Sequence, residues 1–235
     1  MKVLIDFDNV PVAIRNQGPV YLADLILTKL APELPTDCRS LELRLYSGWD
    51  ENGRLTKRAQ DLSALLPSKF PKLFKTLHTD PPTPVMIRAG LAQSLECAPK
   101  KLFSKTMRTM PFSKHVTCLR PSAVACRNAN CPIEAVAVFL NSESCPVAGC
   151  RTTPSALISA TEQKLVDSML TADLIHLAHS GEQSVAIVSS DDDMWPGIIT
   201  AVHAGIHVLH IQTAGLQQSL PYLHVMNGKY TQVGL

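Results

Sequence analysis

Short apolar runs alternate along this chain with longer stretches in which apolar positions recur every three or four residues. Lys2–Ile5 ends at the acids of Asp6-Phe7-Asp8-Asn9 and reads as a strand. After a loop, Pro19 suits the first turn of a helix whose apolar face is Tyr21, Leu22, Leu25, Ile26 and Leu30, ended by Pro32 and Pro35. Residues 39–47 alternate Leu41, Leu43 and Leu45 with polar partners, a half-exposed strand, and Gly48–Gly53 is a turn-rich loop. Residues 54–66 read as a helix with Leu55, Leu62, Leu65 and Leu66 inward and Lys57 and Arg58 outward. Val85–Leu91 and Val136–Leu140 are candidate strands, whereas residues 99–120 show no period. Ser159 followed by Glu162 is a capping-box pattern, which predicts a helix from there to about His179. Val185–Val188 is continuously apolar, as in a strand buried on both faces. A helix over Trp195–Ala204 with Gly205 as its stop, an apolar strand at Ile206–Ile211 and an edge strand within Tyr222–Val233 complete the pattern. Strands alternating with helices predict an α/β fold, a parallel sheet flanked by helices.

The chemistry-bearing residues gather at two strand ends. The first strand stops at Asp6 and Asp8, and Val188 leads through two serines to Asp191, Asp192 and Asp193. Open parallel sheets bind ligands beyond the carboxyl ends of their strands, where strand order reverses. If these strands are neighbours, their carboxylates crowd one small volume, which is costly without a cation or strong donors. Hard oxygen ligands suit Mg²⁺ or Mn²⁺ and metal-assisted hydrolysis. Asp6, Asp191 and Asp193 fit such a centre, with Asp192 turned away. The following helix adds Asp167 near its start and Asp173 six positions on, about 240° around the axis, so Asp167 is the better fourth ligand and Asp173 the second choice. The plainer alternatives are solvent-facing acids in the helix and an N-cap role for the triple-Asp run, for which one carboxylate would suffice.

Charge sharpens this picture. The 235 residues carry a net charge of only +2, yet residues 69–120 hold ten Lys/Arg against two acids. Residues 121–235 hold four basic residues against nine acids. A basic middle beside an acidic site suits a polyanionic substrate; a solvated lysine-rich face is the plain alternative. No apolar run approaches the ~18 residues of a membrane span, and the acid-bearing first strand leaves no secretory signal, so the expected compartment is the cytoplasm with reduced cysteines.

Three blocks, VLIDFDN, EQKLVDSMLTAD and AIVSSDDDMWPGI, resemble in order those of the NYN branch of the PIN-like ribonucleases. Asp6 and Asn9 match the first block, Lys164, Asp167 and Asp173 the second, and Ser189, Asp191, Asp193 and Pro196 the third. Ser190, Asp192 and Met194 replace the usual Gly, Ser and Phe, which leaves the carboxylates intact. The resemblance covers roughly residues 1–65 and 158–212. It implies a Rossmann-like (PIN-like) sheet, one nuclease domain over residues 1–235, and a basic, Cys-containing insertion at about 97–155. It further implies a metal-dependent ribonuclease, an endonuclease acting on RNA, with single-stranded DNA left open as a second substrate. Asp6, Asp167, Asp191 and Asp193 would hold Mg²⁺ or Mn²⁺ with Asp173 as a fifth ligand, and Asn9 would orient a ligand or the attacking water. Lys100, Lys101, Lys105, Arg108, Lys114 and Arg120 would guide the RNA backbone, with a second copy of the chain or a protein partner completing the groove.

Cys126-x4-Cys131 and Cys145-x4-Cys150 have the pairing of a closed structural Zn²⁺ site, the alternative being scattered thiols. Two rival functions remain. Asp6-Phe7-Asp8, with Ser47 and Lys164, also fits a haloacid-dehalogenase-like phosphatase with Asp6 as nucleophile and Asp8 as general acid. A non-catalytic RNA-binding adaptor of the same fold would have no use for the carboxylates.

Overall fold

Alternation within single strands sends side chains to two separate cores. The structure, a computed structural model, describes residues 1–35, 37–76, 82–111, 132–142, 144–145, 147–214 and 228–235. They fall into two units: Met1–Thr106 with Gln163–Leu235, and Met107–Glu162 inserted between these segments.

The first unit begins with β1 (Lys2–Asp6), a short α1 (Val12–Arg15) and α2 (Pro19–Leu30), in which Gly18 at φ 90° leads into Pro19 at the first helical position. Next come β2 (Ser40–Tyr46) and a hairpin of β3 (Asp50–Glu51) and β4 (Arg54–Leu55). Asn52 and Gly53 turn that hairpin with positive φ at both positions, as a two-residue connection demands. Then α3 (Lys57–Lys69), capped by the Thr56 hydroxyl, leads to β5 (Lys72–Lys75) and β6 (Pro84–Leu91). The inserted unit carries β7 (Met107–Pro111), α4 (Ile133–Asn141), α5 (Pro154–Leu157) and β8 (Ser159–Gln163), with β7 and β8 paired; the last residue of β8 belongs to the first unit. The first unit resumes with α6 (Val166–His179), β9 (Ser184–Val188), α7 (Trp195–His203), β10 (His207–Gln212) and β11 (Tyr230–Gly234).

Among the described residues seven strands make one sheet in the order β11-β10-β9-β1-β2-β6-β5, parallel throughout except for the antiparallel β5–β6 pair at the edge. Val3, Ile5, Leu41, Leu43 and Leu45 pack with α2 and α3 residues in one core. Leu4, Val185, Ile187 and Val208 pack with α6 and α7 in the other. The period of two in each strand thus feeds a helical layer on either face. The fold is a mostly parallel α/β sheet flanked by helices. A Cβ on Gly197 would lie 3.1 Å from Thr171 Cγ2 and 3.2 Å from Leu174 Cδ2, which explains a glycine where α7 crosses α6. No helix among the described residues is long and apolar enough to cross a membrane.

Several local expectations are revised. The Ser159–Glu162 pattern lies in β8, and the helix starts only at Val166, after Leu165 in the left-handed region at φ 70°. Val136–Leu140 is part of α4, not a strand. Leu55 and Leu65 are exposed, with Ala59 and Leu66 taking the buried face of α3, and Arg58 does not point outward but turns back to Asp8, just past the end of β1. Residues 222–227 of the expected last strand lie outside the described residues, and the strand itself is Tyr230–Gly234.

Candidate metal centre

Chain order runs outward from the centre of the sheet in both directions, β1 to β2 to β6 one way and β9 to β10 to β11 the other. The reversal falls between β1 and β9, where a crevice opens beyond the strand ends. Asp6 is the last residue of β1, and Asp191 follows β9 by three residues. Asp167, in the first turn of α6, comes to the same place: one carboxylate oxygen from each of the three lies within 4.8 Å of the others.

Asp6 is 4% exposed and firmly held. Its Oδ2 accepts from Asn9 Nδ2 at 2.8 Å and from the Ser189 hydroxyl at 3.3 Å, and its Oδ1 from the Asn9 backbone N–H at 3.4 Å. Asn9 Oδ1 in turn accepts from Ser190 N–H and from the Thr213 hydroxyl, both at 3.2 Å. One asparagine therefore ties together the ends of β1, β9 and β10. Asp191 caps a 3₁₀ turn over Asp192–Met194, its Oδ1 accepting from Asp193 N–H at 3.2 Å, while its own N–H donates to Ser189 Oγ at 3.1 Å. The capping role expected as an alternative is thus filled by Asp191 alone, and it uses only one of the carboxylate oxygens. Buried His210 donates from Nε2 to the Ser189 carbonyl at 3.0 Å; because a carbonyl only accepts, this assigns the proton to Nε2 and leaves Nδ1 to accept from Tyr230 OH at 2.8 Å.

Burial raises the Asp6 pKa, with the Asp8 charge adding to it and the Asn9 and Ser189 donors opposing. Asp167 is raised by burial and then by the charges of Asp6, Asp191 and Asp193. Among the described residues none of the three converging carboxylates is ion-paired, whereas Asp8 and Asp173 both are. Three hard oxygen donors with uncompensated charge match what Mg²⁺ or Mn²⁺ requires.

Asp193 stands at the exposed rim, where its charge reaches Asp167 and its side chain helps line an open cleft of about 890 Å³ between α6 and α7, together with Asp167, Asp192, Ile175 and Pro196. Asp173, expected as a fifth ligand, is placed elsewhere. It is fully buried, accepting from Tyr46 OH at 2.6 Å, Arg44 Nη2 at 3.0 Å and Glu96 N–H at 2.7 Å. The six-residue separation on one helix turns it to the sheet while Asp167 faces the crevice. Lys100, Lys101 and Lys105 are exposed in the first unit and Arg108 in the second, while Lys114 and Arg120 lie outside the described residues. So do Cys126 and Cys131. Within the second unit, the Cys150 thiol donates to Thr152 Oγ1 at 3.3 Å, and its pKa is lowered by hydrogen bonds with Thr152 and with Cys145.

A cluster around Asp8 was not foreseen. Asp8 accepts from Arg58 Nη1 at 2.5 Å and Nη2 at 3.0 Å, from Arg15 Nη1 at 3.1 Å, from the Ser47 hydroxyl and from the Gln163 amide. Burial favours its neutral form, but these donors and the Arg58 charge outweigh it and lower its pKa. The D-x-D spacing pointed to Asp8, but no periodic signal pointed to Arg58 or Gln163. Comparison with known protein families, with curated proteins and with solved structures gives no match for this chain.

Proposed function

We propose that this protein is a metal-dependent ribonuclease, an endonuclease hydrolysing RNA phosphodiesters on a Rossmann-like (PIN-like) sheet of the NYN type. The observation that carries the reading is the meeting of Asp6, Asp167 and Asp191 at the reversal of strand order, without an ion-pair partner among the described residues. These three would hold Mg²⁺ or Mn²⁺, with Asp193 at the rim available to a second ion or to an ordered water. Such an ion, when bound, supplies an activated water and offsets charge on the leaving oxygen. Asn9 and Ser189 keep Asp6 in one rotamer, and Asp191 is fixed by its capping bond, so the ligand set is arranged before substrate arrives. The basic residues Lys100, Lys101, Lys105 and Arg108 supply charge for a nucleic-acid backbone.

The phosphatase alternative requires Asp8 as a proton donor. An acid saturated with donors from two arginines, a serine and a glutamine is held ionised and has no proton to give. The adaptor alternative gives no role to three converging carboxylates that have no ion-pair partner among the described residues.

The test is cleavage of a labelled structured RNA with Mn²⁺ or Mg²⁺, beside EDTA, single-stranded DNA and a chromogenic phosphomonoester. Asp6→Asn and Asp191→Asn are expected to lower metal-dependent RNA cleavage by at least ~100-fold, a loss that removal of an outer-shell partner can already reach. RNA cleavage unaffected by both variants, or phosphomonoester turnover in place of it, would overturn the reading.

A further inference from the structure

The arginines around Asp8 carry more charge and more donors than Asp8 can use. Two guanidinium groups against one carboxylate leave the cluster with one net positive charge. Arg58 spends three N–H groups on Asp8 and Ser47, and Arg15 spends one on Asp8. Each guanidinium has five N–H groups, so Arg58 Nε and Arg15 Nη2 are uncommitted among the described residues. Arg15 Nε is buried without a partner, so the outward donors of that group are the Nη ones. Both groups are also fixed in place: Arg15 and Arg58 each lie over the Phe7 ring at 5.7 Å, and Arg58 over Trp49 at 5.5 Å. Their side chains keep 19% and 36% of their surface exposed.

A purely structural use of Asp8 needs one arginine, as the bidentate Arg58 bond already provides. The second arginine makes the cluster cationic two residues along the chain from Asp6, which belongs to a centre of uncompensated negative charge. A polyanion approaching that centre meets repulsion except where cations are fixed beside it. We propose that Arg15 and Arg58, braced by Asp8 and stacked on Phe7, form a subsite for a backbone phosphate next to the one that is cut. A planar guanidinium already held in one rotamer loses little freedom on binding and presents parallel N–H groups to phosphate oxygens. The subsite rests on the ribonuclease reading above, and it assigns to that activity a substrate with at least two consecutive phosphates in place of a mononucleotide.

The experiment is steady-state cleavage of a short single-stranded oligoribonucleotide by wild type, Arg15→Gln, Arg15→Lys and Arg58→Gln in Mn²⁺, with thermal melts of each. Arg15 sits on the four-residue α1, so its variants report even if Arg58→Gln disturbs the aromatic contacts beneath it. Arg15→Gln is expected to raise KM about 10-fold with kcat nearly unchanged, in line with loss of one charge-assisted phosphate contact. The salt dependence of RNA binding should become shallower by about 0.7 in log–log slope, the single-strand value per contact. Arg15→Lys should recover part of the affinity. A single uncharged methylphosphonate linkage beside the scissile phosphate should weaken wild type and leave Arg15→Gln indifferent. RNA cut by wild type with unchanged KM in Arg15→Gln, or equal methylphosphonate effects in both proteins, would overturn the subsite alone. Failure of wild type to cut or bind RNA would overturn the ribonuclease reading and the subsite with it.

Discussion

Asp6 and Asp8 are two residues apart, yet their pKa values move in opposite directions: burial raises Asp6, whereas at Asp8 burial is outweighed by Arg58, Ser47 and Gln163, which lower it. The same contrast separates Asp6, which has no ion-pair partner among the described residues, from Asp8, which has two. His210 shows the effect of burial on a base: it is fully buried, and burial lowers its pKa to about 4 despite its bond to the Ser189 carbonyl. The neutral form is the one that fits, donating to Ser189 and accepting from Tyr230. A base with a lowered folded-state pKa contributes its full stability above the unfolded value near 6.5 and loses it as pH falls towards about 4, because the unfolded chain takes up the proton first. Over that window the loss approaches about 3 kcal/mol. Asp6 and Asp167 work in the opposite sense, since their raised values favour the folded state as acid is added. Urea midpoints measured between pH 7 and 4 should therefore fall more steeply for wild type than for His210→Gln. Parallel curves for the two proteins would contradict the assignment of a buried neutral His210.

At the scale of elements, α6 presents one acid to the crevice and anchors itself with another. Asp173 joins α6 to β2 through Tyr46 and Arg44 and to the loop after β6 through the Glu96 N–H, and Glu96 also pairs with Arg44 and Lys2. Removing a fully buried carboxylate leaves Arg44 half-paired and Tyr46 without an acceptor. Asp173→Ala should cost about 3–5 kcal/mol in urea unfolding, the range for breaking a buried ion pair from one side. A loss below about 1 kcal/mol would mean that water replaces the carboxylate. The strands β1 and β9 were legible in the sequence because burial on both faces leaves an unbroken apolar run, β10 because Ile206, Val208, Leu209 and Ile211 dominate its stretch, and α7 because proline and glycine mark its ends. The start of α6 was not. Ser159–Glu162 has the local spacing of a cap, but its strand pairing with β7 depends on a partner far away in the chain. The apolar run in α4 was short enough to suit either period. At the site, Asp6 and Asp191 could be placed from the ends of their strands, and Asp167 from its six-residue offset to Asp173 on one helix, wherever that helix begins. Arg58 could not, since its helical face is polar and only the turn of the chain brings it to Asp8.

At the scale of the whole molecule, a separate unit spans Met107–Glu162, where the sequence led to the expectation of a basic, Cys-containing insertion at about 97–155. The first ten residues of the expected stretch remain with the sheet: Lys105 N–H donates to Asp50 Oδ1 at 2.6 Å, and the Thr106 hydroxyl accepts from Asp50 N–H at 3.0 Å. Among the described residues, both hydrophobic cores are built from residues of the first unit. The two chain ends that the insertion joins are already adjacent there, because Lys164 N–H donates to the Thr106 carbonyl at 2.9 Å. Domain insertions are tolerated at such points because few contacts depend on the connecting path. A chain in which a short Gly/Ser link replaces residues 107–162 should therefore fold, keep Gln163 on Asp8, and retain all three carboxylates. Shortening the loop lowers its closure entropy slightly, so the cost of excision should be small. Circular dichroism should show one cooperative thermal transition, raised by Mn²⁺, since an ion bound only by the folded state stabilises it. Arg108 and any ligand held by Cys145 and Cys150 would be lost, so RNA affinity measured in parallel assigns the contribution of the inserted unit. A broad, non-cooperative transition would show instead that the sheet cannot close without it.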